Sequence, residues 1–343
     1  MDWPSTQIRS SGGYARWEIP ASRRRISRLI TPGQTSASLS RLRCSPGLHD
    51  ARAVVLARRL TSACCCRGFA ADIYQTEYSA QRMAEQLADS LSGWSIVLAP
   101  MLWYGVDGAN TIPERYDIRG TITLRASTLR AIVADLGSQL ADHGFRWVLV
   151  VHIHGAAHEH VAMSDAADFI RQTRHIGMFN IGSLGFFESD PSLDSLFARR
   201  FSAAERARIA FDVHAGMWET SAVLAVRSDL VAPNLRTLPD VTVRNWEELD
   251  QAGRRTTWSG YWSAPALADS VLGRRLLDSW ADRWTRYALR ALHGEDVSLL
   301  PRYPDGEPLN ANLRQAHRSL HAQRVFGVRL QQWLATRNSM IDH

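Results

Sequence analysis

The sequence contains no lysine; all 40 of its basic residues are arginine. That bias looks like the codon preference of a GC-rich genome and carries no mechanistic message. Cysteine is sparse, at four residues, and three of them are adjacent (Cys64, Cys65 and Cys66, with Cys44 apart). Adjacent thiols cannot reach the Cα separation and Cβ direction that a disulfide needs. Their spacing is also not the paired C-x-x-C of a zinc site, so reduced, incidental thiols are expected. No apolar run reaches the length of about 18 residues that a bilayer-spanning helix requires. The first ten residues lack the apolar stretch of a secretory signal, and the expected location is the cytoplasm. No internal repeat is visible.

What is present is ordinary globular composition, with 343 residues of which 45% are hydrophobic and 22% charged. That length allows one large domain or two smaller ones. The net charge of +6 is unevenly placed. Residues 1–70 hold twelve arginines against Asp2, Glu18 and Asp50, about +9, which leaves about −3 for the remainder. A basic arm can meet nucleic acid or an anionic surface. This one has no helical stripe and no interleaved aromatics, so nucleic acid is not an expected partner.

Residues 1–67 are rich in Ser, Arg, Gly and Pro without a sustained period and read as a poorly ordered basic arm. The character changes at Gly68. Residues 76–92 space Tyr78, Met83, Leu87 and Leu91 along one helix face, and Trp94 to Pro100 is a short buried strand. Residues 126–143 repeat the helical pattern through Leu129, Ile132, Val133, Leu136 and Leu140, with Gly144 where a C-cap belongs. Phe145–Val151 is then a nearly continuous apolar strand. Strand, helix and strand with buried runs imply an α/β fold with a parallel sheet. Chemistry in such sheets gathers beyond the carboxyl ends of the strands. A later strand is expected at residues 209–213 and a helix at about 221–226. Residues 264–292 and 311–336 are helical again. The domain division is thus 1–67 arm, 68–295 main domain and 296–343 helical extension.

Three constellations carry chemistry. The first is His152-Ile-His154-Gly-Ala-Ala-His158-Glu159-His160, placed after the Val151 strand. Neutral imidazole is a common ligand of zinc, iron and manganese. Residues 152 and 154 are expected to face different ways at the strand end, so that only one enters a given site unless the chain bends; His154 is the preferred ligand. The plainer alternative has one ligand or none, with the other histidines solvated on the next helix. The second is Asp212-Val-His214-Ala-Gly216-Met-Trp-Glu219-Thr-Ser221, where imidazole and carboxylate converge if the chain turns at Gly216. Glu219 could equally be a helix N-terminal charge. The third is Asp72, which could cap the helix that follows or bridge two metals. Trp103, Tyr104, Trp218 and Trp262 could line a pocket for a flat ring, although such sets are more often core.

In five segments between about residues 68 and 290, the sequence resembles the creatininase family, in the family's order. They are Leu98-Ala-Pro100-Met-Leu-Trp-Tyr104-Gly105, Arg119-Gly120-Thr121-Ile-Thr-Leu124, and Leu140-Ala-Asp-His143-Gly144 running through to His152-Ile-His154-Gly155. The last two are His214 to Ser221, with Leu230-Val231 following, and Gly260 to Ala268. The resemblance implies a three-layer α/β/α fold with a mainly parallel sheet and a homo-oligomer, often a hexamer. It also implies hydrolysis of amide-type bonds in cyclic or formylated small molecules at a centre of one or two divalent metals (zinc, manganese or iron). By the same resemblance His154 and Asp72 are metal ligands. Glu219 binds or adjoins the metal and shares the catalytic role with His214, which sits beside the substrate.

The departures are equally specific. The family's E-Q-H-G motif, counted back from Asp72, falls on Thr61 and Ala63, neither a competent ligand. Ala156 stands where creatininase itself has a glutamate two residues after the histidine. Either His152, His158 or Glu159 substitutes, or one metal is lost, or the protein is a catalytically impaired binding or assembly subunit. A further alternative is that residues 1–67 come from a frame change or misassigned start. A barrel amidohydrolase would also place H-x-H at a strand end, but its later Lys or His and Asp ligands and its eight-fold recurrence are missing.

Overall fold

The computed structural model of the chain describes residues 26–28, 53–58, 71–106, 124–212, 214–253, 255, 257–303 and 310–336. Its sheet has five strands, β1 (Ile26–Arg28), β2 (Ala53–Arg58), β3 (Ile96–Leu102), β4 (Trp147–Val151) and β5 (Gly177–Asn180). They run in the order β1-β3-β2-β4-β5, and every pairing is parallel. Strands buried on both faces need helices on both faces, and the alternation of side chains shows how each face is filled. Ile96, Leu149, Val151 and Phe179 join the core beneath α1 (Ala71–Ser90) and α8 (Ser270–Leu292), through Met83, Leu87, Trp280 and Trp284. Val97, Val148, Val150 and Met178 point the other way, into α2 (Ala126–Asp142) and α3 (Ala157–Arg174), through Leu129, Val133, Met163 and Ile170. The result is a three-layer α/β/α sandwich.

Helix α2 ends as its sequence foretells. Gly144 has φ +87°, its N–H reaches Ala141 O at 3.0 Å, and Phe145 N reaches Leu140 O at 3.1 Å. This is the paired closure of a left-handed C-terminal cap, and it aims the chain directly into β4. After β5 the chain forms α4 (Pro191–Arg200), α5 (Ala203–Arg208) and α6 (Met217–Arg227), then a short α7 (Trp246–Gly253) before α8. Helix α6 packs against both α1 and α8. Ser221 O lies so near Gly273 that a Cβ there would stand 1.9 Å away. The last helix, α9 (Asn310–Ala335), packs along α3, and Gln323 Oε1 accepts from Ala126 N at 2.8 Å. No described helix is long and apolar enough to cross a membrane.

Several expectations need correction. Strands β1 and β2 lie inside the segment read as a poorly ordered arm, and β2 pairs with both β3 and β4. Ala53-Val-Val-Leu-Ala57 is a short β-prone run, hidden by the arginines around it. The expected strand at 209–213 is absent among its described residues: Ile209 is the C-cap of α5, and Ala210 and Phe211 turn. Strand β5, short and led by glycine, has too little periodicity to be read beforehand. The α1 helix starts at Ala71, so Asp72 stands within its first turn rather than ahead of it. The cysteines, Thr61, Ala63 and Arg119 to Thr123 lie outside the described residues.

Candidate functional site

The strand order reverses at β2 and β4. From β2 the chain moves to β3 on one side, then crosses back to β4 on the other. The crevice at the carboxyl ends of such a pair is where open α/β sheets place ligands. Strand β4 stops at Val151, and His152 to Ala156 lead into α3. The expectation that only one of them could enter a site is corrected: residues two apart on an extended chain share a face, and His152 and His154 are both buried, at 0% and 8% exposure, and both face Glu159. Glu159 is fully buried, with Oε1 3.7 Å from His152 Nδ1 and Oε2 3.9 Å from His154 Nδ1. Its Oε2 also accepts from Val106 N at 2.9 Å, which ties the chain beyond β3 to the first turn of α3.

Two of the imidazoles, His154 and His160, are held neutral. Burial, aided by the nearby His160 and His214, pushes the His154 pKa well below the usual histidine value. Burial likewise lowers His160 to about 3, against a hydrogen bond to His154 that acts in the opposite direction. His160 Nε2–H donates to His154 O at 2.8 Å, and its ring lies 4.1 Å from that of His152. His154 Nδ1 accepts from Ala156 N at 3.2 Å. In a neutral ring the accepting nitrogen is the one with a lone pair for a metal; in His154 that is Nδ1, which the Ala156 N–H occupies.

His154 feels the charge of His214, so the second constellation lies within electrostatic reach of the first. His214 is 4% exposed, its ring 5.3 Å from Trp262 and 6.1 Å from Trp258, and its carbonyl accepts from Trp262 N at 3.1 Å. Ala215 carries φ +51°, a left-handed conformation that costs a non-glycine residue energy and often marks functional sites. The strain is held from both ends. Asp212 Oδ2 caps α6 by accepting from Met217 N at 2.6 Å and Trp218 N at 3.2 Å. Glu219 Oε2 folds back to accept from Ala215 N at 2.7 Å. Thr220 Oγ1 donates to Ala215 O, and Ser221 Oγ accepts from Asp269 N at 2.8 Å, fastening α6 to the start of α8. Asp212 and Ser221 thus have framework roles that the motif alone did not announce.

Asp72 is 2% exposed in the first turn of α1, the helix that follows β2. Among the described residues no three His, Cys, Asp or Glu side chains stand in an arrangement that could hold a metal ion. The donors are chemically right, as neutral imidazoles and buried carboxylates, but too dispersed to enclose a cation. The residue after Gly155 adds nothing, since Ala156 is the fully buried N-cap of α3. The four aromatics stand in different settings. Trp103 and Tyr104 are 56% and 49% exposed, Trp218 stacks on Phe197 at 5.0 Å, and Trp262 is buried against Trp258 at 4.4 Å.

A parallel α/β/α sandwich with histidines gathered at its topological reversal defines the class, and comparison with known proteins narrows it. The family model described as Creatininase, creatinine amidohydrolase, matches residues 68–288, more than half of the chain. The chain belongs to the creatininase family. Among solved structures, a mutant creatininase of "Zn-Zn type" matches with TM-score 0.53 and 18% identity, covering 77% of this chain and 98% of that one. The structure described as "Creatininase Mn" matches with TM-score 0.53 and 19% identity, covering 78% and 100%. A putative creatinine amidohydrolase from Bacteroides fragilis NCTC 9343 matches with TM-score 0.52 and 18% identity, covering 72% and 92%. No curated protein matches the sequence.

Proposed function

We propose that the chain hydrolyses an amide-type C–N bond in a small molecule, a cyclic amide or a formamide, at the carboxyl edge between β2 and β4. The observation that supports this reading is that buried His154, which follows β4 where the strand order reverses, lies within electrostatic reach of buried His214 from a segment far away in sequence. In this reading His154, Asp72 and Glu219 would hold a divalent metal, zinc, manganese or iron at one or two per chain, after moving closer together than the described structure places them. When bound, such an ion polarises the scissile carbonyl and acidifies a water. Zinc and manganese appear in the descriptions of similar creatininases, and creatine in another, which supports both the metal and the substrate class. Since the described donors do not enclose a cation, the chain's own part is to orient the reactants. His214, buried beside two indoles, contacts the substrate and passes a proton to the leaving nitrogen. Glu219, oriented by Ala215 N–H, directs its carboxylate toward that same proton path. The protein works in the cytoplasm as a homo-oligomer.

The test uses the purified full-length chain, analysed for bound metal and assayed for hydrolysis against a panel of cyclic amides and formamides. We expect about one or two metal ions per chain and turnover of at least one compound, with His154→Ala abolishing both. A wild-type chain that neither retains metal nor turns over any compound after reconstitution with zinc, manganese or iron would overturn the reading.

A further inference from the structure

Residues 300–303 lie beyond the family-matched stretch, which ends at 288, yet they return to the site. Arg302 pairs antiparallel with Leu184, just past β5, and its guanidinium reaches Asp168 Oδ2 of α3 at 3.1 Å. Tyr303 N donates to Ser183 O at 2.9 Å. These three attachments strap the segment across the carboxyl ends of β4 and β5. They deliver the Tyr303 ring, 6% exposed, into a nest of Phe186 at 4.8 Å, Phe187 at 5.2 Å and His160 at 4.5 Å. From there the phenol O–H donates to Gly155 O at 2.8 Å.

That bond completes a pattern. In the turn that carries the His154 imidazole, the carbonyl of His154 accepts from His160 Nε2–H and the next carbonyl, Gly155 O, accepts from Tyr303. Two consecutive peptide groups are thereby fixed, one from α3 and one from the strap. The Ala156 N–H that follows is left facing His154 Nδ1. Ring contact joins the two donors, so each limits the movement of the other. A tyrosine needed only for packing would not require its hydroxyl to meet the backbone of this turn; phenylalanine would serve.

We propose that Tyr303 is a positioning residue for His154, supplied by a strap outside the family-matched domain. It acts through the Gly155 carbonyl and, with His160, sets the direction of the imidazole. The role in catalysis rests on the hydrolase reading above, whereas the mechanical role does not.

Tyr303→Phe keeps the ring and deletes the hydroxyl. In the full chain, amide hydrogen exchange at Ala156 should rise about tenfold, the effect of one lost hydrogen bond on a local opening. The His154 side-chain ¹⁵N resonances should shift, while exchange in α8 and the thermal midpoint stay close to wild type. Zinc or manganese affinity, measured by calorimetry, should fall about 10- to 100-fold, as for other residues that orient a ligand. Arg302→Gln, which loosens the strap without touching the hydroxyl, should give a smaller rise at Ala156. Unchanged exchange and unchanged His154 resonances in Tyr303→Phe overturn the proposal. So does a rise spread evenly over α3 and the strap, or a larger effect from Arg302→Gln. If the wild-type chain binds neither metal, the hydrolase reading fails, and the exchange and resonance results still decide the role of Tyr303.

Discussion

At the scale of single residues, the site depends on how tightly the chain turns between His214 and Glu219. Gly216 is the critical position, since an added Cβ would stand 2.1 Å from Asp212 Oδ1, the carboxylate group that caps α6. The backbone φ of Gly216 is −84°, so alanine meets no left-handed strain there, only that clash. Gly216→Ala should therefore cost about 1–3 kcal/mol by overpacking, read as a lower denaturant midpoint with an unchanged slope. An equal midpoint would show that Asp212 yields its cap without loss. This is also where the legibility of the sequence is clearest. His154 and His214 stood out because histidines after a buried strand and beside a glycine turn are unusual in both type and place, and the structure buries both. Tyr303 could not, because a lone tyrosine between Arg302 and Pro304 has no periodic or motif context. Its role exists only once the strap is folded over the turn.

At the scale of elements, the helices that frame the site are held by their ends. Asp190 is the N-cap of α4, accepting from Ser192 N at 2.9 Å and Leu193 N at 3.2 Å, and it receives Arg275 of α8 at 2.6 Å. Burial pushes its carboxyl up, but hydrogen bonds from Ser279, Ser192 and Leu193 N, with the Arg275 guanidinium, outweigh that and hold it well below the usual range. A carboxyl lowered on folding stabilises above its unfolded pKa of about 4, and that contribution is lost as pH falls further. Asp190→Asn keeps the N-cap, since Asn caps as well as Asp, and should lose the charge-assisted bond to Arg275, about 0.5–1.5 kcal/mol at pH 7. Thermal melts between pH 5 and 2 should then fall less steeply than for wild type, and parallel curves would refute the assignment. Periodicity made the helices at Ala126–Asp142 and Ser270–Leu292 readable because their apolar faces are long, although the second begins six residues later than its pattern suggested. The segment at 209–213 misled because Ile209-Ala-Phe has strand-like composition, while the Asp212 cap and the end of α5 decide the local geometry. Four residues of β5 carry too little pattern to outweigh their glycine.

At the scale of the whole molecule, the sheet does not begin where the family resemblance begins. Strand β2, at Ala53–Arg58, stands between β3 and β4 and bonds to both, although the family match starts at residue 68. A chain shortened to start at Gly68 would leave β3 and β4 with facing, unpaired edges, a condition that invites aggregation. We expect that fragment to be insoluble or to unfold without a cooperative transition, as judged by circular dichroism and size-exclusion chromatography. A compact, cooperatively melting fragment would mean the two edges can close on each other. The same reasoning applies at the other end of the chain. Tyr303 fastens a turn formed some 150 residues earlier, and domains fold from the N-terminus onward as they are synthesised. The layers on both sides of β4 can therefore assemble while the histidine turn is still loose, and the pocket acquires its final shape among the last events of the chain's production. Premature termination just after α8, which ends at Leu292, would release a molecule that looks nearly finished but holds its imidazoles without a fixed aim.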